Sequence, residues 1–122
     1  MRRLFIAAVL VSAGAPASAK LPESQAIEIV SEAVRQVNPG APPKRCLAYQ
    51  IEDRSHRAFD IAVRERHGGS CLGDPGVMPV IERFRVTRSP VKLWHFDIVN
   101  DMYRACRLTR DLQPTCPRQR YD

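Results

Sequence analysis

The sequence predicts an α+β domain: one N-terminal amphipathic helix packed on a four-stranded antiparallel sheet made of two hairpins, stabilised by disulfides. Three observations carry this reading. Apolar residues recur at helical spacing over residues 23–37, then at a spacing of two over 47–63 and again over 80–98. Asn38-Pro39-Gly40 and Ala41-Pro42-Pro43 separate the two regimes, because neither continues a helix. Four cysteines, Cys46, Cys71, Cys106 and Cys116, are distributed through the sheet-forming part of a 122-residue chain.

Residues 1–19, MRRLFIAAVLVSAGAPASA, are expected to form a cleaved secretory signal peptide. Arg2 and Arg3 supply its positive start, Leu4 to Val11 its apolar stretch, and Ala17-Ser18-Ala19 a small-residue cleavage site. The apolar run is about half the roughly 20 residues a membrane span requires, so no integral membrane segment is expected after cleavage. Residues 20–122 are then a single small α+β domain with an irregular C-terminal tail from about residue 100, where Pro114 and Pro117 break any long element. The protein is placed in the periplasm or outside the cell, where an even cysteine count reads as disulfides. Signal removal takes two arginines from a chain of formal charge +6. The remaining basic balance is read as a solvated, arginine-rich surface.

The helix spans ESQAIEIVSEAVRQV. Ala26, Ile27, Val30, Ala33, Val34 and Val37 share one stripe, with Glu28, Glu32, Arg35 and Gln36 away from it. A helix this short needs a partner surface. The first hairpin places Leu47, Tyr49 and Ile51 on one strand and Phe59, Ile61 and Val63 on the other, around a turn at Asp53-Arg54-Ser55-His56. Setting Ile51 opposite Phe59, Tyr49 opposite Ile61 and Leu47 opposite Val63 puts all six on one face. In the second hairpin Val80, Phe84 and Val86 face Trp94, Phe96 and Ile98 across an Arg88-Ser89-Pro90 turn, with Val80 opposite Ile98 and Phe84 opposite Trp94. That register brings Glu82 and Lys92 to the core side, and sends Arg83, Arg85, His95 and Asp97 outward. In the tail, Met102, Tyr103, Cys106 and Leu108 are spaced for a short helical turn.

The AIEIVSEAV helix, the AYQIEDRSHRAFDIAVRE hairpin and the FRVTRSPVKLWHFDI hairpin together resemble a PepSY-type domain, a small exported α+β module. The resemblance covers most of residues 24–98. It implies a non-catalytic inhibitory or regulatory role, directed at envelope or secreted hydrolases.

Between the hairpins lies HGGSCLGDPGVMP, residues 67–79. Cys46 begins one strand of the first hairpin and Cys71 lies just beyond the other, so a Cys46–Cys71 bridge is geometrically reasonable. Cys106 and Cys116 would then close a short loop around Pro114. Three pairings exist for four cysteines, and this one is adopted. Each bridge is worth on the order of 3 kcal/mol in the chain-entropy model. The insert thus reads as a stapled connection. Its glycines do not form GxxxxGK[ST] or GxGxxG, so it is no phosphate cradle. Cys71 near His67 reads as a disulfide cysteine beside a solvated histidine, not as a nucleophile with its base.

No catalytic constellation is expected, and no metal site or cofactor: HExxH, a nucleophile elbow and an acidic calcium cluster are all missing from the sequence. Nucleic acid is not expected as a partner, because the aromatic residues are assigned to the core face. The sequence-based function is therefore an exported, periplasmic binding or inhibitor module with a protein partner in the cell envelope. Its contact surface is assigned to the loop, with Gly68, Gly69, Gly73 and Asp74, and to the outer sheet face, with Arg83, Arg85 and His95. Two other functions fit the same compartment. One is a periplasmic immunity protein against a toxin that attacks the cell wall; the other is a small hydrolase using His95 and Asp97.

Overall fold

A computed structural model describes residues 20–121 of the chain; the expected signal peptide lies outside these residues. The helix α1 covers Glu23–Val37, as its apolar period requires, and buries Ala26, Ile29, Val30, Ala33, Val34 and Val37. Ile29 takes the central place expected of Ile27, which is only partly buried at the margin. Burying side chains such as Val30 and Val34 contributes about 1.5–3 kcal/mol each relative to exposure. Neither end of α1 is closed by a side-chain cap. The Asn38 amide closes the last turn onto the Val34 carbonyl, and the chain on either side of the helix is tied to the sheet and the tail. The amide of Leu21, just before the helix, donates to the Arg88 carbonyl at 3.1 Å, while the Val37 carbonyl accepts from the Gln119 amide at 3.0 Å.

After a single 3₁₀ turn at Lys44–Cys46 the chain forms a meander: β1 Leu47–Arg54, β2 Ala58–Glu65, β3 Val80–Arg88, β4 Val91–Asp97 and β5 Met102–Ala105. Neighbours in sequence are neighbours in the sheet, in the order β1-β2-β3-β4-β5, and every pair is antiparallel. The sheet therefore has five strands rather than the expected four. The fifth comes from the tail, where a helical turn was expected. Met102–Ala105 extends along β4 instead, pairing Phe96 with Tyr103 and Asp97 with Met102. Further on, β6 Arg107–Leu108 and β7 Pro114–Thr115 make a two-stranded ribbon that reaches α1: Gln36 donates to the Pro114 carbonyl and accepts from the Cys116 amide.

In the first hairpin Tyr49 pairs with Val63 and Ile51 with Ile61, two residues from the expected register, and an irregularity at Glu52 brings Arg54 opposite Phe59. A two-residue shift preserves side-chain parity, so the expected face stays intact. In the second hairpin the difference is a single residue. Arg88 pairs with Val91 across Ser89-Pro90, so Val86 meets Leu93 and Phe84 meets His95. A one-residue offset exchanges the two faces of β4. Leu93, His95 and Asp97 turn inward and are buried, whereas Trp94 and Phe96 face outward. The core lies between this inner face and α1, built around Phe59, Ile61, Val63, Phe84, Val86 and Leu93.

Both expected disulfides form. Cys46–Cys71 ties the start of β1 to the insert, and Cys106–Cys116 closes the β6–β7 ribbon. Two bridges fit an oxidising compartment. Among the described residues, no helix is long and apolar enough to cross a membrane.

Candidate functional site

The insert leaves the sheet at the end of β2 and re-enters at β3, at the same end as the start of β1 and the end of β4. It is fixed at several points. The Arg66 amide donates to the Cys46 carbonyl at 2.7 Å, the Glu65 amide to the Pro79 carbonyl at 2.9 Å, and Arg64 to the Met78 carbonyl at 2.7 Å. Gly68 and Cys71 exchange two backbone hydrogen bonds of 2.9 Å, a tight reversal that Gly68 permits with φ of +100°. His67, expected to be a solvated residue, lies mostly covered beneath the loop, its Nδ1 3.1 Å from the Asp74 carbonyl oxygen. A Cβ on Gly73 would come within 2.6 Å of that ring. Asp74 closes the next turn by accepting from the Gly76 amide at 2.8 Å. The expected loop residues Gly68, Gly69, Gly73 and Asp74 thus shape the loop rather than present side chains.

Beside its exposed polar residues the loop presents apolar ones. Leu72, next to the Cys71 bridge, is 90% exposed. Beside it, Pro42, Pro43, Cys46 and Arg66 help to line a groove of about 400 Å³. Among the described residues, the large exposed apolar side chains are Leu72, Val77, Met78, Ile98, Val99, Met102 and Tyr121. Leu72, Val77 and Met78 stand on the insert, Ile98, Val99 and Met102 on the β4–β5 connection and its exit, and Tyr121 meets Ile98 in a shared pocket. All of them belong to one end of the sheet. The opposite end, with the β1–β2 and β3–β4 turns, has none of them. Ile98 was expected in the core opposite Val80 and Met102 in a helical turn, and both are exposed instead; the exposure of Leu72 was not foreseen, because it depends on the path of an irregular loop.

The outer sheet face differs from its expected composition. Arg83 and Arg85 do face outward, but each is tied to a carboxylate: Arg83 Nε to Glu52 at 2.8 Å and Arg85 Nε to Asp60 at 2.7 Å. The Asp60 hydrogen bond raises the Arg85 pKa, and the Arg85 guanidinium also lies 4.5 Å from the Tyr103 ring centre. Burial pushes the Tyr103 phenol up. Phe96 packs edge-on against Tyr103. Trp94 and Phe96 were assigned to the core face in arguing against nucleic acid, and that argument does not hold for them.

His95, expected on the outer contact surface, is 3% exposed on the inner face, where its ring packs on Phe84 with centres 5.1 Å apart. Its Nε2 lies 2.7 Å from Glu82 Oε2. Asp97, also expected outward, is buried and accepts from Gln119 Nε2 at 2.9 Å, Asn100 Nδ2 at 2.8 Å and Arg104 Nε at 2.6 Å, as well as from the amides of Val99 and Asn100. The Gln119 hydrogen bond, followed by that from Asn100, holds its pKa well below the usual carboxylate range. Those donors saturate the carboxylate and assign it to holding the turn after β4. His95 and Asp97 share a cleft of about 380 Å³ with Arg118 and Arg120 on its rim.

Among the described residues, no group of three or more His, Cys, Asp or Glu side chains is arranged to hold a metal ion. Family models, curated proteins and solved structures give no match to this chain.

Proposed function

We propose that the chain is an exported, non-catalytic binding or inhibitor module that grips a protein partner of the cell envelope through the end of the sheet carrying the insert. The single observation behind this reading is the gathering of exposed apolar side chains at that end, with Leu72 projecting from a loop fixed by a disulfide. Apolar side chains clustered at one surface mark interaction sites more often than scattered ones do. A loop already held by the Cys46–Cys71 bridge and its backbone hydrogen bonds loses little conformational freedom on association, which favours affinity. The PepSY-like pattern of the helix and hairpins is the support for the partner class, an envelope or secreted hydrolase. The signal-like residues 1–19 and the oxidised cysteines support the compartment.

Affinity capture from a periplasmic extract with the mature protein, beside Leu72→Asp, tests the reading. The expected result is a partner that binds the wild type and at least about ten-fold less tightly the Leu72→Asp variant, since a central apolar anchor carries 2 kcal/mol or about that. A partner held equally by both proteins would overturn it.

A further inference from the structure

We propose that the cleft between the end of β4 and the returning tail binds a phosphate group, held by Arg118 and Arg120 over the buried ring of His95. His95 pairs with Arg104 across β4 and β5, and Arg104 Nε meets Asp97 Oδ2 at 2.6 Å. The tail crosses this corner of the sheet. Gln119 Nε2 donates to Asp97 Oδ1 at 2.9 Å, and the Gln119 amide donates to the Val37 carbonyl at 3.0 Å. Between tail and sheet a cleft of about 380 Å³ remains, lined by these side chains of the sheet together with Arg118, Gln119 and Arg120.

The charges around the cleft set the sign of its ligand. Asp97 is the one acid among the residues that line it, and Arg104 cancels its charge. Arg118 and Arg120 are exposed, and neither forms an ion pair among the described residues. Two uncompensated positive charges therefore remain at one concave surface, where low-dielectric walls concentrate their field on an anion.

The floor of the cleft selects among anions. His95 Nε2 is taken by Glu82 Oε2 at 2.7 Å, and Nδ1 has no hydrogen-bond partner among the described residues. Nδ1 is nevertheless not sealed off, because Glu82 Oε1 is the buried side-chain polar atom left without a partner among those residues. The His95 side chain is 4% exposed and lines this cleft, so its open nitrogen is offered to whatever the cleft holds. An ionised carboxylate only accepts hydrogen bonds and would need the proton on Nδ1. Hydrogen phosphate accepts through its oxygens and donates through its hydroxyl, and so meets either tautomer. Charge points the same way, since a phosphate group carries about −1.5 to −2 at pH 7 and matches the two arginines. Guanidinium forks pair readily with two phosphate oxygens at once. Free inorganic phosphate and a phosphate monoester, as in a lipid headgroup, share this chemistry.

The experiment is an NMR titration of the mature protein with sodium phosphate, beside sodium acetate at equal pH and ionic strength. The expected result is saturable shifts at His95, Asn100 and Gln119 with phosphate and an at least ten-fold weaker response to acetate. Arg118→Gln combined with Arg120→Gln should bind phosphate at least ten-fold more weakly. Arg57→Gln combined with Lys92→Gln removes the same charge from exposed positions beside the β1–β2 and β3–β4 turns, and should bind as the wild type does. Absence of saturable shifts, equal responses to the two anions, or equal binding by the two double variants would overturn the proposal. If the Arg118 and Arg120 variant does not fold, the comparison of anions on the wild type decides. Glycerol 3-phosphate locates the source: binding at least ten-fold tighter than inorganic phosphate assigns the cleft to a monoester, and comparable or weaker binding assigns it to the free ion. Neither probe involves Leu72, so this inference and the proposed grip on a partner fail separately.

Discussion

Glu82 Oε2 and His95 Nε2 meet at 2.7 Å on the helix-facing side of the sheet, with both side chains 5% exposed or less. They come from adjacent strands and compensate each other: each would be an unpaired polar group in the core without its partner. Removing one member of a buried pair costs about 3–5 kcal/mol, whereas replacing both by apolar groups of similar volume is often nearly neutral. Glu82→Leu and His95→Phe are each expected to lose stability in that range, and the double variant far less than the sum. Urea denaturation of the four proteins of the cycle measures the coupling.

Asp97 gives the fold an acid-sensitive point. Its pKa is lowered in the folded chain from the ordinary 3.8, chiefly by the Gln119 hydrogen bond. A depressed native pKa means that the stabilisation is fully present above the unfolded-state value and is lost as pH falls below it toward the native one. The stability gap between wild type and Asp97→Asn should therefore be constant above about pH 5 and shrink steadily toward about pH 2. Urea midpoints across that range supply the check; a gap that widens on acidification would show the sign to be wrong.

The two disulfides close loops of different length, with sequence separations of 25 and 10. Chain entropy assigns about 3.5 kcal/mol to the longer and about 2.7 kcal/mol to the shorter. Cys46→Ser with Cys71→Ser should cost more than Cys106→Ser with Cys116→Ser, as read from urea unfolding. The first pair should also expose residues 67–78 to limited proteolysis, since the bridge is what holds Leu72 in place.

The register of β4 has its own test. Leu93 is buried against Val86, and Trp94 lies on the outer face opposite Arg85. Leu93→Ala is expected to lose about 2–5 kcal/mol, and Trp94→Ala distinctly less, although tryptophan is the larger residue. The reverse order would restore the register in which Trp94 points to the core.

How much of this was legible in the sequence differs by element. α1 was legible because Pro22 and the Asn38-Pro39-Gly40 stop bracket a clean helical period. The inner face of the first hairpin survived a register error, since a two-residue shift keeps parity. The second hairpin was misread because bulk was taken as a guide to burial. A turn that pairs Arg88 with Val91 fixes the parity, and it sends Trp94 and Phe96 outward. His95 then belongs inside only because Glu82 is there to meet it, a relation between strands that no single-strand pattern contains. β5 was missed for a similar reason: its four residues carry little pattern, and Asp97 positions them by organising the turn before them. In the insert, cysteines and glycines revealed a stapled loop, but the outward direction of Leu72 depends on the path the bridge imposes.

The returning tail has a practical side. Tyr121 reaches the rim of the pocket beside Ile98, while the chain ahead of α1 is anchored at the far end, where Leu21 bonds to Arg88. A purification tag or surface tether joined beyond Tyr121 would crowd the very crown that is to be probed. Attachment ahead of Lys20 holds the molecule by its opposite pole and leaves that crown open.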